Sequence, residues 1–514
     1  MNSEKVVANK SNFRAIGHLM AGGGLILMVG MIFGGLSRTG GWFPGIDLIH
    51  QGFMAVGGSV ILAVYIIAYS HFTKNKILFW LSTITNISLL LQAVLGQSLY
   101  WGWGIAQSVG LHYTLSIVIL STTTASVGFI FLSKQPIAEQ TLHFRTSFSR
   151  RSIWLIGLVL LVLVSGVWLA ESGEQRACEG WPLCNQSVIP MGAALVPFLH
   201  RVFVGIVGIY LFQYALESWK KQRTQRFILT AVNSAALLYV AQGFIGAIGA
   251  VGDYSPALIV LHAITAAVLV VVSVLLVVAH GVHQRTEDEE LTDSKLALDR
   301  SQRLKDFIAL NKPIVVLLLL ATTLGGMVMG YRGFPPFETI VITLVSGALA
   351  AGGSSAINQF IDQDIDGQMT RTSKRPIPAG RLTPAEGLAF GVSALIISFY
   401  LMAGLVNMLA AILTLIGMVY YVYLYSVVLK RRSVQNIVIG GGAGAIPPMV
   451  GWAAATGSLD LTAGFLFLII FLWTPPHFWA LALTRQNEYA AAGLPMMPVA
   501  RGEEATRKPV SYTH

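Results

Sequence analysis

The sequence predicts an all-α polytopic membrane protein, and three observations carry that expectation. Hydrophobic residues make up 54% of the 514 and charged residues only 11%, against about 25% charged in soluble domains. The apolar residues gather into fourteen runs, each near the ~20 residues that a bilayer helix needs. None of the runs alternates with period two, as the strands of a membrane barrel would.

In order, the runs fall near 14–36, 51–70, 77–97, 107–132, 153–170, 191–216, 227–250, 256–280, 313–331, 338–358, 385–405, 408–428, 434–455 and 461–483. The first is too long, and too closely followed by the second, for a removable signal peptide. Lys74, Lys76, Lys134, Arg145, Arg150, Arg151, Lys220, Lys221, Arg223 and Arg226 all lie in alternate loops, while the intervening loops hold little beyond Arg38 and Arg176. The positive-inside rule makes the first group cytoplasmic, with the N-terminus inside. The net charge of +10 expresses this bias, so no nucleic-acid partner is expected. Residues 284–312 form the longest polar interval and read as a cytoplasmic linker between two membrane modules.

The first module, residues 1–283, repeats itself. His50 and His112 are 62 residues apart, as are His200 and His262, and the second pair is the first shifted by 150. Each His lies near the outer end of an even-numbered helix, so two four-helix units, 14–132 and 153–280, each carry one pair. A single His in a span is ordinarily a packing residue, but four at a fixed repeat form a ligand pattern. Neutral imidazole is a haem iron ligand, and a helix bundle can hold a porphyrin between facing helices. The only cysteines, Cys178 and Cys184, have five residues between them in a predicted outer loop. There a disulfide persists, acting either as a loop staple or in a redox role.

The twin His pairs, "CEGWPLC", "FLHR" at 198–201 and "WGWGIAQSVGLHYT" at 101–114 together resemble the haem A synthase family, over about residues 14–283. That family oxidises a methyl group of haem O to the formyl group of haem A. The resemblance implies that His200 and His262 hold a resident haem b, and that His50 and His112 bracket the substrate haem. Two departures stand out. Asp47 occupies the position, three before the first His, where the family often has glutamate. The first outer loop, "SRTGGWFPGID", lacks the cysteine pair that many members carry beside the substrate haem.

The second module opens on an unusual concentration of charge. In "NQFIDQDIDGQMTRTSKRPIPAG" (358–380), Asn358, Asp362 and Asp366 are spaced four apart and share one helical face, while Asp364 points elsewhere. Carboxylates this close repel unless a cation sits among them, and magnesium binds one or two carboxylates plus substrate phosphates. Arg371, Lys374 and Arg375 would meet phosphate oxygens that the metal leaves free. Lys430, Arg431, Arg432 and Asn436 lie in the next cytoplasmic loop, and Arg485, Glu488 and Tyr489 in a third. Three loops thus converge over one predicted metal–diphosphate pocket.

N-x3-D-x3-D followed by R-T-x-x-R-P, with "WTPPHFWALAL" and "AGLPMMPV", resembles the intramembrane prenyltransferases, and most closely the protohaem IX farnesyltransferases (haem O synthases), over about 305–508. The resemblance implies that Asn358, Asp362 and Asp366 bind Mg2+ and the diphosphate of farnesyl diphosphate, with the farnesyl group passing to a haem vinyl group. His477 is either a porphyrin contact or a packing residue. Glu488 stands where the family usually has aspartate, and Asn487 where another acid is common. The family's transferase has nine helices and six are found here. The module 313–508 is therefore expected to be incomplete at its C-terminal end, and 509–514 ("PVSYTH") reads as an artefactual tail.

The two resemblances join, since the product of one reaction is the substrate of the other. The chain reads as a bifunctional enzyme of haem A biosynthesis in the inner membrane of a prokaryotic cell. Its expected partners are protohaem IX, haem O, farnesyl diphosphate, membrane lipid and an electron acceptor the sequence does not name. A second copy of the chain or cytochrome oxidase assembly factors are the candidate protein partners. The alternatives are a di-haem electron-transfer module fused to a prenyltransferase of an aromatic quinone precursor, or a non-enzymatic haem carrier.

Overall fold

A computed structural model describes residues 2–38, 44–103, 107–174, 177–178, 180–182, 184, 190–252, 255–295 and 300–511. Its described residues contain helices and no strand, and fourteen of the helices are long and apolar enough to cross a membrane. The all-α polytopic class predicted from composition and run length is therefore the observed one. Large apolar side chains such as Ile66 and Ile67 stand exposed at 66% and 78%, as lipid-facing positions require. The chain divides into two compact units, one of residues 1–222 and 231–294, the other of 223–230 and 295–514.

The first unit holds α1 (Asn2–Arg38), α2 (Ile46–Phe72), α3 (Lys76–Tyr100), α4 (Ser108–Leu132), α5 (Ser147–Ser172), α6 (Leu195–Lys221), most of α7 (Arg226–Val251), α8 (Pro256–His283) and nearly all of α9 (Glu287–Lys295). Leu27, Ile61 and Ile119 form a buried knot that Met54 and Leu89 complete, so one residue or more from each of α1 to α4 meets at a single point. α4 also packs on α8, and α5 on both α6 and α8. At one end of the second helix quartet, Phe148 of α5 stacks on Tyr214 of α6 at 4.2 Å. The Tyr214 hydroxyl lies 3.0 Å from His280 Nε2 of α8. α5 begins earlier than its apolar run because Thr146 and Ser149 form a capping box.

The second unit holds α10 (Arg300–Leu310), α11 (Pro313–Tyr331), α12 (Phe337–Ile361), the short α13 (Gln363–Gln368), α14 (Pro384–Leu405), α15 (Met408–Val419) with a π-helical continuation over Tyr420–Leu429, α16 (Asn436–Gly440), α17 (Gly442–Thr456), α18 (Leu461–Leu483) and three short helices, α19 (Gln486–Ala491), α20 (Met497–Arg501) and α21 (Glu503–Ser511). α17 is its most buried span. A Cβ added at Gly451 would stand 1.9 Å from Thr323 O, and one at Gly326 2.1 Å from Pro448 O. The backbones of α11 and α17 therefore touch, the close approach that small residues allow in membranes.

The polar interval 284–312, read from the sequence as a linker, carries helices of its own. It folds into α9 and α10, which are divided between the two units, because Arg285 pairs with both Glu289 and Asp293 and Phe307 and Leu310 enter a hydrophobic cluster. Of the predicted tail 509–514, residues 509–511 end α21 and 512–514 lie outside the described residues.

Candidate functional site

In the second unit, Asn358 sits in the last turn of α12, which ends at Ile361. Asp362 breaks the regular helix at φ −94°, ψ 7°, yet the hydrogen bonds carry on, Asp362 N to Asn358 O at 2.9 Å and Asp366 N to Asp362 O at 2.8 Å. The three side chains therefore share one face, at 3%, 0% and 3% exposure. Asp364 is turned out and half exposed, held in a two-pronged pair by Arg431 at 2.7 and 2.9 Å. Those hydrogen bonds hold its carboxyl below the usual range.

Cations converge on the buried face. Lys430 pairs with Asp362, Arg375 with Asp366, and Arg431 stands 3.8 Å from Asp362 Oδ1. Asn358 Nδ2 donates to Asp362 Oδ2 at 2.7 Å and to Ser426 Oγ at 3.0 Å, and Asn358 Oδ1 accepts from Lys312 Nζ at 3.3 Å. Burial, with Arg375 and Lys430 close by, pushes the Lys312 amine down to about 7, against the pull of Asp366 and Asp362. Lys312 and Ser426 escaped the sequence reading. Lys312 belongs to no charge cluster, and Ser426 is brought in only by the π-helical turn, where its hydroxyl reaches back five residues to Tyr421 O at 2.9 Å.

The three polar loops pack together through one hydrophobic cluster. Ile365 and Met369 come from the first, Ile437 follows the second, and Leu494 and Met496 with Tyr489 come from the third. Arg371 is exposed, but Arg375, Arg485, Tyr489 and Glu488 all lie near enough to act on its charge. Lys374 is exposed. Asn436 is fully buried, its amide donating to Ser433 O at 2.7 Å. His477 stacks on Trp473 at 4.4 Å. Among the described residues no three His, Cys, Asp or Glu side chains form a ready metal cage. Asp362 Oδ1 and Glu488 Oε2 are nonetheless buried acceptors without a hydrogen bond, the donor chemistry a hard cation takes.

In the first unit the four histidines are placed by a device the sequence reading overlooked. Each imidazole lies against a glycine of the preceding helix. A Cβ at Gly34 would stand 2.8 Å from His50 Cε1, at Gly96 3.3 Å from His112 Cε1, at Gly166 3.3 Å from His200 Cε1, and at Gly246 3.7 Å from His262 Cε1. Three of the glycines precede their His by 16 residues, and Gln92 and Gln242 repeat at the same 150-residue shift as the histidines. That periodicity is the signal that would have found them. His50 Nδ1 donates to Gly30 O at 2.7 Å. Ser165 Oγ donates to Val162 O, so His200 Nδ1 donates to Ser165 Oγ at 2.9 Å. Both rings then keep an unprotonated Nε2, as a metal ligand requires. His112 differs, since Gln92 Nε2 donates to its Nε2 at 3.1 Å and to Ser116 Oγ at 2.7 Å.

Asp47 is exposed in the first turn of α2, where the helix dipole favours a carboxylate. Cys178 and Cys184 form a disulfide with Cα atoms 5.0 Å apart. Arg201, next to His200, holds this loop by donating to Cys178 O at 2.9 Å, Gly180 O at 2.7 Å and Cys178 Sγ at 3.1 Å.

Comparison with known proteins finds two families along the chain. A model of the UbiA prenyltransferase family matches residues 319–513, and a model of the cytochrome oxidase assembly proteins (COX15-CtaA) matches residues 191–370. A protohaem IX farnesyltransferase of Roseiflexus castenholzii is 40% identical over 384 residues, 71% of each chain. The chain belongs to the protohaem IX farnesyltransferase family. A farnesyltransferase of that name from Chloroflexus aurantiacus is 32% identical over 473 residues, 90% of this chain and 77% of its own. One from Symbiobacterium thermophilum is 51% identical over 210 residues, 41% of this chain and 70% of its own. This member of the farnesyltransferase family thus matches both a prenyltransferase model and a cytochrome oxidase assembly model, the latter over residues that include His200 and His262, and the two matches overlap over 319–370, where the acidic face lies.

Three outcomes follow for the first unit. Gly34→Ala forces the His50 ring aside and should lower thermal stability in detergent by about 1–3 kcal/mol, the usual cost of overpacking. Gly246→Ala, with ordinary van der Waals space, should leave the unfolding midpoint nearly unchanged. Arg201→Gln removes the clasp on the cysteine loop and should speed reduction of the disulfide by dithiothreitol several-fold. Thiol labelling at fixed times measures it, and a rate equal to that of the parent protein contradicts the clasp.

Proposed function

We propose that the second unit transfers the farnesyl group of farnesyl diphosphate to protohaem IX, giving haem O, and that the first unit oxidises a haem O methyl group to the formyl group of haem A, with water supplying the formyl oxygen and an external electron acceptor taking the four electrons. The observation that carries the first half is the buried face of Asn358, Asp362 and Asp366 ringed by Lys312, Arg375, Lys430 and Arg431. A diphosphate ester brings several negative oxygens, and this face supplies both the cations that meet them and carboxylate oxygens for a cation between them.

Mg2+ fits the donor set, with the Asp362 and Asp366 carboxylates as its protein oxygens and the unbonded Asp362 Oδ1 turned to it. When bound, it supplies charge to the departing diphosphate. Lys312, Lys430 and Arg375 stabilise the same charge as the allylic C–O bond breaks. A protohaem vinyl carbon then bonds the farnesyl carbon, and water adds the hydroxyl and gives up a proton. Arg371 and Lys374, exposed on their loop, and Arg485, close enough to Arg371 to act on its charge, offer further positive charge to the diphosphate.

For the first unit, the unprotonated Nε2 atoms of His50 and His200 suit haem iron. We assign a resident haem b to His200 and His262, and the substrate haem O to His50 and His112. A bound haem b supplies one-electron chemistry. Gly30 O and Ser165 Oγ fix the ring orientation of His50 and His200. Gln92, bonded to His112 Nε2, must give way when that nitrogen takes a ligand, which makes the substrate pair the more easily exchanged one.

Asp362→Asn and Asp366→Asn should each lower haem O formation about 10²–10³-fold, the scale of lost transition-state electrostatics, while Asp364→Asn keeps most activity. Equal losses at all three positions would contradict the shared-face assignment. In the first unit, His200→Ala or His262→Ala should remove the bis-histidine low-spin absorption of the purified protein. His50→Ala or His112→Ala should keep most of that signal and stop haem A formation. The same haem content in all four variants would overturn the division of roles.

A further inference from the structure

Helix α10 occupies part of the interval whose composition reads as a linker, yet one of its faces is built into the second unit. Arg303, Asp306, Phe307 and Leu310 follow the i, i+3, i+4, i+7 spacing of a single helical face. Arg303 Nη2 donates to the fully buried Glu386 at 2.7 Å. Leu310 O accepts from Gln359 Nε2 at 2.8 Å, one residue from Asn358. Phe307 and Leu310 pack with Ala356, Ile377 and Leu382. The fourth contact is the informative one. Asp306, only 3% exposed, accepts from Arg381 Nε at 2.9 Å, and the other end of that guanidinium donates to the main-chain carbonyl of Lys374 at 3.1 Å.

Arg381 thus spans a loop whose side chains, Arg371, Lys374 and Arg375, are all cationic and repel one another. The loop is closed further by Arg381 N donating to Pro376 O and Ala379 N to Arg375 O, both at 3.0 Å. It is tied to the acidic helix where Thr372 Oγ1 donates to Asp366 O at 2.9 Å. A two-pronged guanidinium fixes direction as well as distance, so the carboxylate of Asp306 sets where the Lys374–Arg375 segment stands.

We propose that Asp306 and Arg381 are positioning residues for diphosphate binding: through the Lys374 carbonyl they hold the cationic loop at the distance from Asp362 and Asp366 that a magnesium diphosphate needs. The proposal rests on the prenyl-transfer reading of the second unit. Neither residue touches substrate. Their role is to remove the freedom of a loop that otherwise swings away from its own charge, so that binding does not have to order it.

The test uses the full chain in detergent and inorganic pyrophosphate with magnesium as the probe, read by titration calorimetry. Asp306→Asn, Arg381→Gln and the double variant should each weaken pyrophosphate binding about tenfold, and the double no more than the worse single, because both changes break one contact. The KM for farnesyl diphosphate should rise by the same factor, with kcat and the KM for protohaem unchanged. The double variant leaves no buried charge unpaired, so it remains a fair test if a single variant fails to fold. Pyrophosphate affinities within twofold of the parent, additive losses, or a matching rise in the protohaem KM overturn the proposal. Failure of the parent protein itself to bind magnesium pyrophosphate overturns the prenyl-transfer reading instead.

Discussion

Two carboxylates with almost no solvent access, one helical turn apart at the end of a membrane helix, cannot both stay ionised unless positive charge is brought to them. That constraint organises the second unit. Taking even one carboxylate out of water costs several kcal/mol, and here the cost is offset by Lys430 and Arg375, each delivered from a different segment. Because these cations must arrive from the loops, the loops have to fold against one another. The cluster of Ile365, Met369, Ile437, Leu494 and Met496 is the apolar price of an electrostatic requirement. An anion of high charge then finds cations already gathered, with little reorganisation left to do at binding.

The first unit meets a different constraint by similar means. A histidine between apolar helices has two ring nitrogens, and only one can face a ligand. The other must be satisfied by a neighbour inside the membrane, where water is scarce. Gly30 O and Ser165 Oγ do this for His50 and His200. The glycine beneath each ring lets the helices come close enough for the bond to form. Spans α1 and α5 therefore contribute as much to the two sites as the helices that bear the histidines.

The spans, the acidic face and the four histidines were legible because each is written as a period: twenty apolar residues, a spacing of four, a spacing of 62 and its copy 150 residues on. The glycine seats and the Gln92/Gln242 pair are periodic too, but glycine is so frequent in membrane helices, 52 in this chain, that its repeats vanish into the background. Lys312 and Ser426 left no such trace. They reach Asn358 only through tertiary approach, one from the start of α11 and one from a helical turn of unusual width. α10 misled for another reason. Half of its packed face, Arg303 and Asp306, is charged and finds charged partners far away in sequence, so its composition resembles a solvated linker while Asp306 and Leu310 are almost fully buried.

The π-helical stretch Tyr420–Leu429 has a consequence for how this part of the chain can change. A helix with about 3.6 residues per turn rotates each successive side chain by about 100°. The wide turn uses extra chain to cover the same rise, so it stores an angular offset between the residues before and after it. Lys430 meets Asp362 only with that offset in place. Loss of one residue within the stretch would let the segment relax to an ordinary helix. Every side chain beyond it would then be turned by roughly a quarter revolution, carrying Lys430 off the acid although no residue that touches the acid had been altered. The segment thus works as a fixed spacer whose information lies in its residue count.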